Sequence, residues 1–380
     1  MTTRALARRK SATTDTAAAI AEARSRAIVM WAGERIAFDD LPERIARTEQ
    51  RAARDRMYLA YLEAVDRLNP LYERRLAEWT APGNPIEAAA RAGDDPRELA
   101  VSLERFSLNS ETPYFAALRR YLALIGIEQG DATEADLWHV VRGGEWDGWF
   151  GARAVTAGLA AAGRPAADHG DTTGWRAAER QLAGGDAALQ SVGAVAVGGA
   201  FSTLVGSREW LVDELSVDPD QAIAFADFAT FVRLWRLRRL IGQLMYELRL
   251  YSTDDAALRR AYHQGILSGV TGVLVSEAEY LIGLDGPLAS ATKIRSTLLA
   301  GMLVEVLEQR SGTHWWRDPA SAQLVDRIAQ ATTREDVLAE LGYDGLDWRP
   351  VLRQIRTRLI GEMSGYGGPN ITTRAGTRKV

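Results

Sequence analysis

The chain has 380 residues, 46 Lys and Arg against 50 Asp and Glu, a formal charge of −4 and no cysteine. That length exceeds one small core and buries roughly three quarters of the unfolded surface, so no covalent staple is required. The missing cysteines exclude disulfides and thiolate metal ligands and fit a reducing cytoplasm, and the acidic balance argues against a general polyanion binder. The basic set is nearly all arginine, with lysine only at Lys10, Lys293 and Lys379. With the abundant alanine, this reads as the mark of a GC-rich bacterial genome.

Residues 1–16 carry Arg4, Arg8, Arg9 and Lys10 but no apolar run after them. They are expected to form a disordered tail rather than a secretory or twin-arginine signal. Apolar residues then recur at helical spacing, and no run of alternating β-branched residues interrupts them, so the predicted class is all-α. Helices are expected over 15–30, 43–68, 70–79, 96–108, 112–124, 134–141 and 151–162, with a short extended excursion at 31–38. The breaks coincide with Pro82-Gly83-Asn84-Pro85, Gly93-Asp94-Asp95-Pro96 and Gly130-Asp131, which supply stops and N-caps.

Between residues 163 and 185 the apolar period weakens, which places a junction between an N-terminal lobe (17–162) and a C-terminal lobe (186–363). Expected helices in the second lobe cover 186–204, 207–215, 219–251, 254–271, 276–282, 289–310, 321–331, 333–341 and 348–363, and 364–380 reads as a flexible tail. The segment 187–205 approaches membrane length and is rich in small residues, but Gln190, Ser191, Ser202 and Thr203 interrupt it and no basic anchor flanks it. A buried helix, packed closely through Gly193, Gly198 and Gly199, is the expectation.

Several motifs in one order resemble a known family. They are Leu41-Pro42-Glu43-Arg44-Ile45-Ala46, Leu68-Asn69-Pro70-Leu71, Asp136-Leu137-Trp138-His139, Glu145-Trp146-Asp147-Gly148-Trp149-Phe150, and the segment from Arg233 to Leu250. Beyond these lie Leu267 to Val273, Tyr280-Leu281 with Asp285, Trp315-Trp316-Arg317-Asp318-Pro319 and Leu341-Gly342-Tyr343-Asp344. In this order the chain resembles the oligopeptidase-type gluzincins, the oligoendopeptidase F and thimet oligopeptidase group, which hydrolyse peptides with one zinc.

The resemblance implies a two-lobed helical bundle around a cleft, but it also implies a zinc motif, H-E-x-x-H, that the chain lacks. Two histidines one helical turn apart hold the metal while the intervening Glu activates its water. Only His139, His169, His263 and His314 are present, and only His169 falls in the shortened stretch between residues 150 and 186. The helix that supplies the family's third ligand corresponds to Gly193–Phe201 here and has no carboxylate. The tyrosines expected to stabilise an oxyanion are replaced near Ala289 and Lys293. The expectation is therefore a pseudopeptidase without metal or cofactor, acting as a peptide- or protein-binding subunit.

Its expected partners are a second copy or an intact peptidase homologue, with Gly193, Gly198 and Gly199 as the interface. The rival reading is an enzyme of altered chemistry that uses His263, Glu277 or Arg295 in the residual cleft, or a zinc site completed by a partner chain. His263, near Glu277 and Glu279 in sequence, is otherwise a hydrogen-bonded helix histidine. Asp168-His169-Gly170-Asp171 reads as a solvated loop. The arginines of 233–241 are expected to line the solvent edge of an apolar stripe or to pair with acids such as Glu247 rather than to bind nucleic acid.

Overall fold

The structure, a computed structural model, describes residues 3–151, 174–184 and 191–359, with side chains from residue 15 onward. Expectations for 151–162, for most of the junction at 163–185 and for the tail 364–380 fall outside them. Among the described residues the fold is all-α, with one two-stranded hairpin.

The N-terminal segment opens with helix α1 (Thr3–Arg26), where a tail up to residue 16 was expected. Ala and Arg dominate it, both strong helix formers, and it packs along α3 (Arg51–Thr80) with Ile20 buried and Thr16 donating to Glu78. Strands β1 (Ile28–Trp31) and β2 (Glu34–Ala37) meet at Ala32-Gly33, both at positive φ, so the predicted excursion is a tight hairpin. Helix α2 (Leu41–Arg47) follows. The helix expected over 43–68 thus breaks after Arg47 and then runs uninterrupted through Pro70.

Helices α4 (Pro85–Arg91) and α5 (Pro96–Leu124) each start at proline behind an Asn or Asp whose side chain accepts a backbone N–H two residues on. The sequence reading treated Ala81–Pro85 as a bare break and missed α4. It also divided α5, which passes through Pro113. That proline has no N–H to give the Asn109 carbonyl, and Arg356 Nη2 takes the place at 2.8 Å. Helix α6 (Glu134–Arg142) opens on a capping box between Thr133 and Asp136. Asp136 also anchors Arg54, a fully buried ion pair at 2.7 Å.

The second segment holds α7 (Trp175–Leu182), α8 (Val192–Ser202), α9 (Arg208–Leu215), α10 (Pro219–Leu250), α11 (Ala256–Thr271), α12 (Ala289–Ser311), α13 (Pro319–Gln330), α14 (Arg334–Leu341) and α15 (Arg349–Leu359). Helix α10 is the axis: it packs on α5, α11, α12 and α15, and buries Phe225, Phe228, Phe231, Leu234 and Trp235. Buried side chains from Ile20 to Leu359 join one continuous cluster. Trp315 and Trp316 are inside it, Trp315 edge-on to Phe201 and Trp316 donating to Glu214 at 3.0 Å. No described helix is long and apolar enough to cross a membrane.

The glycines assigned to an interface are consumed within the chain. A Cβ on Gly193 would stand 1.7 Å from the Ile328 carbonyl oxygen, one on Gly198 2.2 Å from that of Ala183, and one on Gly199 2.8 Å from the Ala300 methyl. Helix α8 therefore uses them to seat its backbone against α13, the end of α7 and α12, so this face is an internal contact.

Candidate functional site

The site begins where two distant loops are stitched together. Glu134 N donates to the Leu274 carbonyl at 3.0 Å and Leu274 N to the Ala132 carbonyl at 2.8 Å, a parallel bridge that lays residues 272–279 beside the start of α6. A single 3₁₀ turn, Glu277–Glu279, follows, capped by Ser276 and held against α3 by Asn69 Nδ2 on the Ala278 carbonyl at 3.0 Å. The expected helix over 276–282 is only this turn. Residues two apart on a three-residue turn face different directions, so Glu279 is buried while Glu277 is exposed.

Glu279 lands against Glu134. Tyr58 donates to Glu279 Oε2 at 2.7 Å, and the Glu134 carboxylate receives Arg239 of α10 through Nε at 3.1 Å and Nη2 at 2.9 Å. Burial pushes the Glu279 carboxyl well above the usual carboxylate range, and the facing Glu134 charge adds to the rise. Glu134 Oε2, buried and otherwise without a partner, is the acceptor that a proton on Glu279 can reach. The same burial, with the charges of Glu279 and Glu134, raises the Tyr58 and Tyr61 hydroxyls far above their ordinary range, keeping both as donors.

The cluster faces a cavity of about 210 Å³ bordered by Phe38, Tyr61, Trp138, Gln243, His263 and Glu279, with Arg24 and Asp39 at its edge. His263 Nδ1 lies 3.1 Å from the Ser276 carbonyl, an acceptor, which fixes the proton on Nδ1 and leaves Nε2 as a base. Burial drives this ring down to about 4, so it is neutral at physiological pH. Gln243 is 7% exposed and makes no hydrogen bond among the described residues. The cavity wall therefore offers a neutral imidazole, a carboxyl group, an amide and the free edge of a paired guanidinium.

Of the residues proposed from sequence, His263 stands in this wall and the other two do not. Glu277 points outward, and Arg295 pairs with Asp94 at 3.0 Å beside a separate groove under Trp79 and Pro85. Arg239, read as covering an apolar stripe, is the counter-charge of Glu134, while Glu247 accepts from Ser290 instead of an arginine. His139 binds the Ala46 carbonyl at 2.7 Å and His314 meets Asp213 at 3.0 Å; His169 lies outside the described residues. Among the described residues no three His, Asp or Glu side chains are grouped to hold a metal ion. Glu134, Tyr58, Tyr61 and Gln243 escaped sequence reading because each looks like an ordinary helix residue. The one usable signal was Arg239, a charge in the middle of a helix whose other residues are mostly buried.

Set beside known proteins, the chain matches no family model and no curated protein.

Proposed function

We propose that the chain is a non-catalytic relative of the zinc oligopeptidases that works as a binding subunit, taking a polar group of a peptide or protein segment into the cavity between α3, α6, α10 and α11. The observation that supports this is the set of polar groups left without protein partners on the cavity wall, Gln243 and His263 Nε2 above all. Buried polar groups are normally satisfied within the fold, and those left open in a concavity are where a ligand supplies the missing bonds. The partner carrying that segment would be a second copy or an intact peptidase homologue, encountered in a reducing cytoplasm.

Binding of a fluorescent random-peptide pool tests this. The wild type should retain a subset of peptides without cutting them, and Gln243→Leu should weaken retention about tenfold while leaving the helical spectrum unchanged, as loss of one buried hydrogen bond to ligand implies. Equal retention by Gln243→Leu, or none by the wild type, would reject the reading.

A second reading has its own support. Glu279, its carboxyl raised by burial beside the arginine-paired Glu134, with neutral His263 across the cavity, sets an acid against a base as catalytic carboxyl pairs do. Under it, the retained peptides or another substrate would turn over, and Glu279→Gln would abolish turnover without loss of binding.

A further inference from the structure

A second, larger cavity of about 570 Å³ lies on the other side of α10, between the turn after α8, the start of α9, the C-terminal half of α12 and α15. Its polar wall is organised differently. Arg358 Nη1 donates to the Gly206 carbonyl at 2.6 Å, and Arg233 Nη1 to Gln354 Oε1 at 3.0 Å. Neither guanidinium has a carboxylate at ion-pair distance among the described residues, and each keeps most of its five N–H donors unused. The neighbouring acids are mostly taken. Glu305 receives Arg353 Nε at 2.8 Å and Tyr343 at 2.7 Å, Asp227 receives Arg120 and Tyr121, and Glu209 receives Ser207 at 3.0 Å.

Glu308 is the exception. Half-buried on α12, it makes no hydrogen bond or ion pair among the described residues and feels both Arg358 and Arg233 through space. Burial and mutual repulsion hold Arg233 down to about 10, and burial lowers Arg358 too. Both arginines are half-buried, and Glu308 is the nearby carboxylate that both feel. Leu204, Ile223, Trp315 and Pro350 provide an apolar floor between the charged groups.

We propose that this cavity is a second ligand site, for a small zwitterion such as a free amino acid or short peptide, its carboxylate on Arg358 and its ammonium against Glu308, both of which line it. Planar guanidiniums match a carboxylate with paired hydrogen bonds, a free carboxylate matches an ammonium, and the volume falls within the range of small-molecule sites.

The test is calorimetric titration of the full chain with the dipeptide alanyl-leucine, its N-acetyl form, its C-terminal amide, and sodium acetate. The expected result is saturable binding of the free dipeptide, weakened at least tenfold by blocking either end and at least tenfold by Arg358→Met. Glu308→Gln should weaken the free dipeptide and leave the N-acetyl form unaffected, which keeps the proposal open to refutation should Arg358→Met fail to fold. Lys293→Ala, in an exposed pair with Asp285 away from both cavities, should leave dipeptide binding unchanged. No saturation by alanyl-leucine at millimolar concentration, equal binding of acetate, or undiminished binding in both Arg358→Met and Glu308→Gln would each overturn it.

Discussion

The two cavities lie on either side of the same helix and settle their charges in opposite ways. In the first, Arg239 pairs with Glu134, and burial raises the second carboxyl, Glu279, toward its neutral form, so the wall tends to internal balance. In the second, Arg358 and the neighbouring Arg233 lean on neutral oxygens of Gly206 and Gln354, with no carboxylate at ion-pair distance among the described residues. A paired charge belongs to the fold, whereas an unpaired one is a standing demand on a ligand. The contrast separates Arg239, matched within the fold, from Arg358, which lines the second cavity with only neutral oxygens as hydrogen-bond partners.

Stability measurements break the comparison most directly. Removing one member of a buried pair strands the other, so Arg239→Met should cost about 3–5 kcal/mol in urea unfolding, the lower figure allowing for the partial exposure of Arg239. Arg358→Met removes a charge that has no partner and should stay within about 1 kcal/mol of wild type. Equal losses in the two variants would dissolve the distinction.

Gly193→Ala sharpens it from the side. The added methyl meets the Ile328 carbonyl, a backbone atom that cannot swing away, and the overpacking should cost about 3 kcal/mol. Because Thr203 and Leu204, just past α8, line only the second cavity, dipeptide binding there should weaken while the His263 environment, followed by NMR, stays unchanged.

The pH dependence of stability has two limbs of opposite sign. Burial lowers His263 from 6.5 to about 4, so its contribution is complete above pH 6.5 and is lost as pH falls toward 4. Burial raises Glu247 from 4.5 to about 7, so its contribution is complete below pH 4.5 and is lost as pH climbs to 7, with Glu279 adding in the same direction. Each limb amounts to about 3–4 kcal/mol at roughly 1.4 kcal/mol per pKa unit. Thermal melts across pH 4–8 should show His263→Phe flattening the acid limb and Glu247→Gln the alkaline one. At the far end of the scale, Lys293→Ala breaks an exposed pair with Asp285 and should change stability by less than about 0.5 kcal/mol.

The helical class, the hairpin and the Asn-Pro and Asp-Pro starts of α4, α5, α10 and α13 were all written in local chemistry, although the start of α4 went unread. Local rules failed at Pro70 and Pro113, where a proline costs a helix about 3 kcal/mol and tertiary contacts, such as Arg356 on the Asn109 carbonyl, offset it. Glu134, Arg239 and Glu279 are separated by tens to more than a hundred residues and meet only because Leu274 pairs with Ala132 and Glu134, which no periodicity encodes. His263 was flagged beside two glutamates; choosing Glu279 over Glu277 required the geometry of a three-residue turn. The arginines of α10 look alike in sequence, and only their neighbours divide them into paired and unpaired.

The claim on which the first cavity rests is that burial beside Glu134 holds the Glu279 carboxyl well above the usual carboxylate range. Carbon-13 NMR titration of glutamate carboxyl carbons, with Glu279→Gln to assign the resonance, reads this group by itself. The account predicts a Glu279 signal still in the protonated position at pH 7 and titrating only above it. A signal that titrates near the ordinary glutamate value of 4.5 would mean that both carboxyls are ionised and would contradict the balanced cavity described here.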